Sequence, residues 1–307
     1  WCIRRWPRGT RQERVDWIHA AIHQIAEALA HESPNCRVET STPIPVRWLA
    51  IAHRDARGSS SFVREDGIYE VAPWLPGVAN YWSDPNDQKL VAAMRALARW
   101  HRAAATLSTP TYHNVALSPG LATRASRCSA LLNGDLERLE AAGLADARQH
   151  IRDAACRLAA GFRRVGRELN SRIQTMARVK WRQQLCLRDI WHDHVLFDQS
   201  EGTNQVSGIV DYDAVRVESP VGDVARLLGS LVGDDRERFQ IGLESYESIC
   251  TLTMDEHQLL SIWDASNAAM AGLQWIQWLC LEGRFFDDEE AVAERLERHV
   301  SRISSLC

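Results

Sequence analysis

The chain has 307 residues, 45% of them hydrophobic and 25% charged, with a formal net charge of −4. That balance belongs to a globular protein able to bury a large core, long enough for two domains or two lobes of one. It argues against a nucleic-acid or polyanion surface, and the lack of any run of 18 apolar residues argues against a membrane span.

No secretory pattern opens the chain. Its first residue is Trp1 rather than Met, which reads as a fragment or a processed form. The eight cysteines form no C-x-x-C pair, so reduced thiols in a cytoplasm are expected rather than a disulfide framework or a zinc site. The twelve tryptophans are expected to pack in the core or between lobes.

Residues 1–6 read as a strand closed by Pro7-Arg8-Gly9. Thr10 is placed to cap the next helix, with Glu13 as its capping-box partner. Val15, Ile18, Ile22, Ile25 and Leu29 then keep helical spacing until Pro34 and Asn35 break it. Pro43, Pro45 and the run 46–52 read as a strand entered through an extended segment. Phe62-Val63 and residues 68–72 read as strands joined at Asp66-Gly67, a hairpin signal. Pro73-Trp74-Leu75-Pro76-Gly77 closes this part. Residues 87–105 are strongly helical, with Leu90, Met94, Leu97 and His101 on one face, where His101 reads as a hydrogen-bonded core histidine. Residues 110–119 read as a loop. Helix follows helix from 121 to about 178, broken at Asn133-Gly134 and Gly143. Three more helices are predicted near 236–250, 255–282 and 289–306.

The stretch that carries chemistry lies between. It reads Leu187-Arg188-Asp189-Ile190-Trp191-His192-Asp193-His194-Val195-Leu196-Phe197, then Gly208-Ile209-Val210-Asp211-Tyr212-Asp213, then Gly222-Asp223-Val224-Ala225. Pairing of the two apolar runs as a hairpin would bring Asp189, His194 and Asp211 to one end of it. Such carboxylates suit phosphoryl transfer, one positioning a hydroxyl and another holding a metal on the phosphates. Asp213 reads either as a further metal ligand or as a turn residue. Asp223 sits at a helix start, where free N–H groups stabilise a carboxylate. The string His192-Asp193-His194 also admits a His/Asp-liganded hydrolase, which needs further ligands from other elements.

These motifs resemble the catalytic and metal-binding loops of the aminoglycoside phosphotransferase and choline kinase-like family, within the protein-kinase-like fold. The family pattern runs H-G-D-x-H-x-x-N and two apolar residues, then I-D-[WF]-x-x-A, then D-[LIV]-A. By that resemblance Asp189 falls on the catalytic aspartate, Asp211 on the metal aspartate and Asp223 on the aspartate that braces the catalytic loop. Leu187-Arg188-Asp189 is also similar to the H-R-D of protein kinases. Two positions depart from the pattern: Leu187 replaces a His, and His194 replaces the metal-binding Asn. Imidazole offers nitrogen where Mg²⁺ prefers oxygen. One metal instead of two, a different metal, or lost catalysis are the readings this leaves.

The resemblance runs from Arg4 to about Leu279. It implies an α+β, bilobal protein-kinase-like fold, with a small antiparallel-sheet lobe at 1–76 and a larger, mainly helical lobe at 77–307. Arg4 takes the place of the strand lysine that contacts nucleotide phosphates, with a solvated strand charge as the competing reading. The helix after it should supply an acidic partner. Glu13, Glu27 and Glu32 are available, and His19 lies nearest the usual spacing. Backbone groups of Val71, Ala72 and the residues up to Trp74 would meet the adenine edge. No glycine-rich hairpin is found, so the first two strands of the small lobe are expected to be absent from this chain.

The implied activity is transfer of the γ-phosphoryl group of ATP, or of GTP, to a hydroxyl of a small molecule such as an aminoglycoside, a sugar or an amino alcohol. Mg²⁺ is the implied metal, with Mn²⁺ as its substitute, and a cytoplasmic setting without nucleic-acid or membrane partners is expected. The rival reading is a non-catalytic relative that binds a nucleotide or a partner. Leu187, His194 and the missing hairpin favour it, and Asp189 and Asp211 oppose it.

Overall fold

Alternating side chains build a three-stranded antiparallel sheet from the first seventy residues. β1 (Cys2–Arg5) and β2 (Phe62–Arg64) both pair with β3 (Gly67–Ala72), in the order β1-β3-β2. The register sets Arg4 opposite Glu70 and Ile3 opposite Val71. Arg64 pairs with Gly67, so the hairpin loop is Glu65-Asp66, one residue earlier than the dipeptide signal placed it. The computed structural model describes residues 1–31, 48–107, 113–200 and 203–306. Glu32, Pro34, Asn35, Pro43, Pro45 and the first two residues of the strand expected at 46–52 lie outside these. The described part of that strand makes a single parallel bridge, Leu49 to Ile209.

Between β1 and β2 runs α1 (Gln12–His31). It buries the whole predicted stripe of Val15, Ile18, Ile22, Ile25 and Leu29, each side chain stabilising the unit by roughly 1.5–3 kcal/mol. Thr10 does not cap it. Its hydroxyl donates to the Pro7 carbonyl at 2.7 Å, and the helix begins two residues later.

The chain divides into two compact units. The first comprises Trp1–Asn114, Gln183–Asp223 and Gln240–Thr251. After β3 the backbone reaches Gly77, where φ is 106° and an added Cβ would lie 2.0 Å from Ser207 Oγ and 2.6 Å from the Phe197 carbonyl oxygen. Only glycine lets the chain pass so close with that backbone. Val78 then exchanges two backbone hydrogen bonds with Phe197, at 3.1 and 3.0 Å. α2 (Asp87–Thr106) follows, its N-terminus capped by Asn86, whose side chain accepts from the Lys89 N–H. Leu90, Met94, Leu97, Trp100 and His101 are its buried face.

Residues 113–117 form a strand, β4 (His113–Leu117), where a loop was expected. The flanking prolines masked its alternation, and Pro119 opens a helix instead of ending a loop. β5 (Lys180–Cys186) pairs with β8 (Arg216–Glu218). β6 (Val195–Phe197) and β7 (Val206–Ile209) form the antiparallel hairpin predicted from their apolar runs.

The second unit comprises Val115–Arg182, Val224–Phe239 and Leu252–Cys307. α3 (Pro119–Ala130) passes through a π turn that kinks at Asn133 and Gly134 into α4 (Leu136–Leu144). α5 (Gln149–Ala177) comes next, with α6 (Val221–Val232) from Val224 on and the first residues, up to Phe239, of α7 (Arg236–Glu247). α8 (Met254–Ile276) opens on a capping box of Thr253 and Glu256, and α9 (Glu289–Ser304) is the last helix. α5 packs against α3, α4, α8 and α9, and Leu158 comes so near Gly272 that a Cβ there would lie 2.5 Å from its Cδ2. Arg302 ties α9 to Asp264 at 2.6 Å and to Asp234 at 3.0 Å. Among the described residues no helix is long and apolar enough to cross a membrane.

Candidate active site

The β6–β7 hairpin does what its sequence implies. Val195 pairs with Ile209, and the Val210 N–H donates to the His194 carbonyl at 3.0 Å, so His194 and Asp211 leave the hairpin at the same end. Asp189 lies five residues upstream, half-buried, in the loop that joins β5 to the hairpin. The His194 Nδ1 meets the Asp189 carbonyl oxygen at 2.6 Å, which ties that loop to the hairpin.

Asp223 braces the same loop from the start of α6. Its carboxylate accepts from the Leu187 N–H at 2.7 Å and the Arg188 N–H at 2.8 Å. It is almost fully buried, and His101 Nε2 lies 3.2 Å from it. The Tyr246 hydroxyl meets the other His101 nitrogen at 2.8 Å. The core reading of His101 holds, with a definite task added: it supports the aspartate that supports the loop. Arg188 takes a structural partner, Glu218, at 3.0 Å. His101, Cys186 and Asp223 place potential ligand atoms within 4.8 Å of one another, the one such group among the described residues. All three are already engaged inside the fold, since the Cys186 thiol donates to the Glu218 carbonyl and burial pushes its pKa well up.

Arg4 faces the loop after the hairpin. Its NH1 lies 3.5 Å from Asp211 Oδ1, its NH2 pairs with Asp213, and its Nε lies 3.0 Å from Glu70 Oε1. The Nε–H is not aimed along that last line, so the contact is an ion pair without a hydrogen bond. Arg4 is therefore not a solvated strand charge. Arg14 of α1 secures the same loop by donating to the Asp213 carbonyl at 3.0 Å and the Val215 carbonyl. Asp213 is thus both a turn residue and part of the charge cluster. Burial, with the charge of Asp211 adding to it, raises its pKa against the opposing pull of Arg4.

Three carboxylates, those of Glu70, Asp211 and Asp213, surround the Arg4 guanidinium, and with Arg14 at the Asp213 carbonyl they outnumber these guanidinium groups three to two. Asp211 is the most open of them, with 45% of its side chain exposed. An open, hard oxygen donor in a negative setting fits a divalent cation of the Mg²⁺ kind. His194 fits it less well. Its Nε2 lies 3.7 Å from Asp211 but accepts the Trp191 indole N–H at 2.9 Å, so a cation there would displace that hydrogen bond.

Val71 and Ala72 lie in the last two positions of β3. The Val71 carbonyl is occupied by the His53 N–H at 2.7 Å. The neighbouring Pro76 carbonyl accepts from Ser207 Oγ at 2.7 Å. His192, in the string that suggested a hydrolase, stacks on Trp82 with ring centroids 3.4 Å apart and pairs with Asp193 at 3.0 Å.

Sequence reasoning missed Glu70. The acidic partner of Arg4 comes from the adjacent strand, not from α1. A signal was present, because a carboxylate in the middle of the apolar run Ile68-Tyr69-Glu70-Val71-Ala72 requires a partner once buried. His19, nearest the usual spacing on the helix, reaches Glu70 instead of the cation, at 2.6 Å.

A family model described as the phosphotransferase enzyme family matches residues 1–260. The chain belongs to that family. No curated protein sequence matches it. Among solved structures, an aminoglycoside phosphotransferase from Alicyclobacillus acidocaldarius superposes with a TM-score of 0.60 at 13% identity, over 94% of this chain and 82% of that one. An amicoumacin kinase in complex with AMP-PNP, Ca²⁺ and Ami gives 0.57 at 13% identity, over 94% and 78%. A choline/ethanolamine kinase family protein from Mesorhizobium loti gives 0.53 at 13% identity, over 99% and 86%. At such identity the likeness is one of fold, and the phosphotransferase chain has the α+β, protein-kinase-like fold expected of it.

Proposed function

We propose that this phosphotransferase moves the terminal phosphoryl group of ATP or GTP to a hydroxyl of a small molecule. The observation that carries the reading is the hairpin end where the Asp189 loop, His194 and Asp211 converge, with Asp223 holding the loop from behind. Relatives of the same fold were solved with AMP-PNP and with ADP, which supports a nucleotide as donor. Asp189 orients the acceptor hydroxyl and takes its proton. The acceptor oxygen bonds to the terminal phosphorus as the bond to the nucleoside diphosphate breaks. Arg4 steadies the phosphates, and backbone groups from Val71 to Trp74, other than the Val71 carbonyl that His53 occupies, receive the adenine edge. Asp211 would hold a divalent cation, Mg²⁺ or Mn²⁺, which would neutralise charge on the phosphates. His194 joins it only by giving up the Trp191 hydrogen bond.

The test is a panel of hydroxyl compounds (aminoglycosides, sugars, amino alcohols) incubated with nucleotide and read by mass spectrometry for a phosphorylated product. Asp189→Asn should lower turnover of any acceptor by roughly 10²–10⁴-fold, the usual contribution of a general base, with nucleotide affinity unchanged. Full turnover in Asp189→Asn would contradict the assignment.

A non-catalytic nucleotide binder is the second reading. It draws on the engaged Nε2 of His194 and on the three carboxylates that hold Arg4. It predicts nucleotide binding with no product from any acceptor.

A further inference from the structure

Arg4 and Glu70 are direct cross-strand partners, so both side chains stand on the same face of the sheet. Glu70 is 8% exposed and held at both carboxylate oxygens. Oε1 faces Arg4 Nε at 3.0 Å, while Oε2 accepts from Trp6 Nε1 at 2.8 Å and meets His19 Nε2 at 2.6 Å. Burial opposes its ionisation, but the hydrogen bond with His19 and the charge of Arg4 outweigh it and hold its pKa below the usual carboxylate value. His19 is fixed in turn, with Nδ1 2.8 Å from Ser60 Oγ. Trp6 acts twice, because the Arg4 guanidinium also lies over its ring, 4.6 Å from the centroid. Arg4 is thus clamped by a carboxylate on one side and an indole face on the other.

We propose that Glu70, held by His19 and Trp6, is the positioning residue that aims Arg4 at the nucleotide phosphates, in the role a helix carboxylate was expected to fill. The inference rests on the reading of Arg4 as the phosphate-contacting cation. The acid sits on the neighbouring strand and fixes the Nε side of the guanidinium, while NH1 and NH2 meet Asp211 and Asp213 from the loop after the hairpin. α1 contributes the imidazole that orients the acid and Arg14, which holds the backbone carbonyls of Asp213 and Val215. A guanidinium fixed before binding loses less freedom when it meets phosphate oxygens than one free to rotate.

The experiment is isothermal titration calorimetry of the full chain with Mg²⁺·ATP and, separately, with adenosine, which lacks the phosphates Arg4 would contact. Glu70→Gln should weaken ATP by roughly tenfold and leave adenosine unchanged. Arg4→Met should do the same, and the double variant should be no weaker than Arg4→Met alone, the signature of two residues acting as a unit. His19→Ala should weaken ATP, and His19→Gln, which keeps a donor near Glu70, should restore it. Wild-type ATP affinity in Glu70→Gln alongside a loss in Arg4→Met would overturn the positioning role. Equal loss of ATP and adenosine in Glu70→Gln would reduce Glu70 to a fold element and overturn it as well. If Glu70→Gln fails to fold, the His19 pair decides, and equal ATP affinity in His19→Ala and wild type counts against the proposal. Failure of the wild type to bind ATP while Arg4 and Glu70 are intact would remove the parent reading, and this inference with it.

Discussion

Arg188 and Asp211 have φ angles of 66° and 65°, a left-handed backbone that residues other than glycine adopt at a cost of about 1–3 kcal/mol each. Both flank the candidate site, and the neighbouring hydrogen bonds explain how the strain persists. The Arg188 N–H is held by Asp223, and the residue before Asp211 is pinned to the His194 carbonyl. Replacing Asp223 with Ala removes the acceptor of two backbone N–H groups at once. The variant should lose about 3 kcal/mol or more of stability, read as a lower urea midpoint. A midpoint within error of wild type would mean that Asp223 braces nothing. That Asp189, Asp211 and Asp223 would gather around one loop and hairpin end was legible in the sequence, because they sit in short motifs whose spacing is local. The pairing of Glu70 with Arg4 was not, because it depends on a strand register between residues far apart in the chain. The engagement of His194 by Trp191 was equally hidden, since adjacency in a string does not say which nitrogen meets which donor.

Whole elements were legible where a period was long enough to count. α1, α2 and α8 each repeat apolar residues over several turns, and each is found close to its expected bounds. β4 was hidden between prolines, and β8 is only three residues, Arg216-Val217-Glu218, too short to show alternation. The passage from β3 to the hairpin depends on Gly77. Gly77→Ala would combine a positive φ with contact against Ser207 and the Phe197 carbonyl. It should cost roughly 2–4 kcal/mol, visible as a lower denaturant midpoint at unchanged m.

α9 supplies a prediction in pH. Burial first, then the charges of Arg295, Arg302 and Arg226, depress His299 from 6.5 to about 4. Between those values the unfolded chain binds a proton that the folded chain refuses. The stability tied to a neutral His299 is therefore full above pH 6.5 and drains as pH falls towards 4, by no more than about 3 kcal/mol. Urea midpoints measured across that window should fall in the wild type and stay flatter in His299→Gln. Parallel curves for the two proteins would show that His299 is not the group responsible.

At the scale of the molecule, every residue assigned to nucleotide, metal or proton transfer lies in the first unit, and the second is a helical body organised on α5. Nucleotide at a hundredfold excess over its Kd should stabilise the protein by about 2.7 kcal/mol. Hydrogen exchange should slow in residues 68–77, 187–197 and 206–213, with α5 unchanged. Protection confined to α5 would place the ligand elsewhere.

The most direct measurement is calorimetric titration of the full chain with ATP, with and without Mg²⁺, in wild type and Asp211→Asn. The account predicts binding that strengthens with the metal in wild type and a metal effect that vanishes in Asp211→Asn. A folded wild type that binds neither ATP nor GTP, or a metal effect that survives the substitution intact, would contradict it.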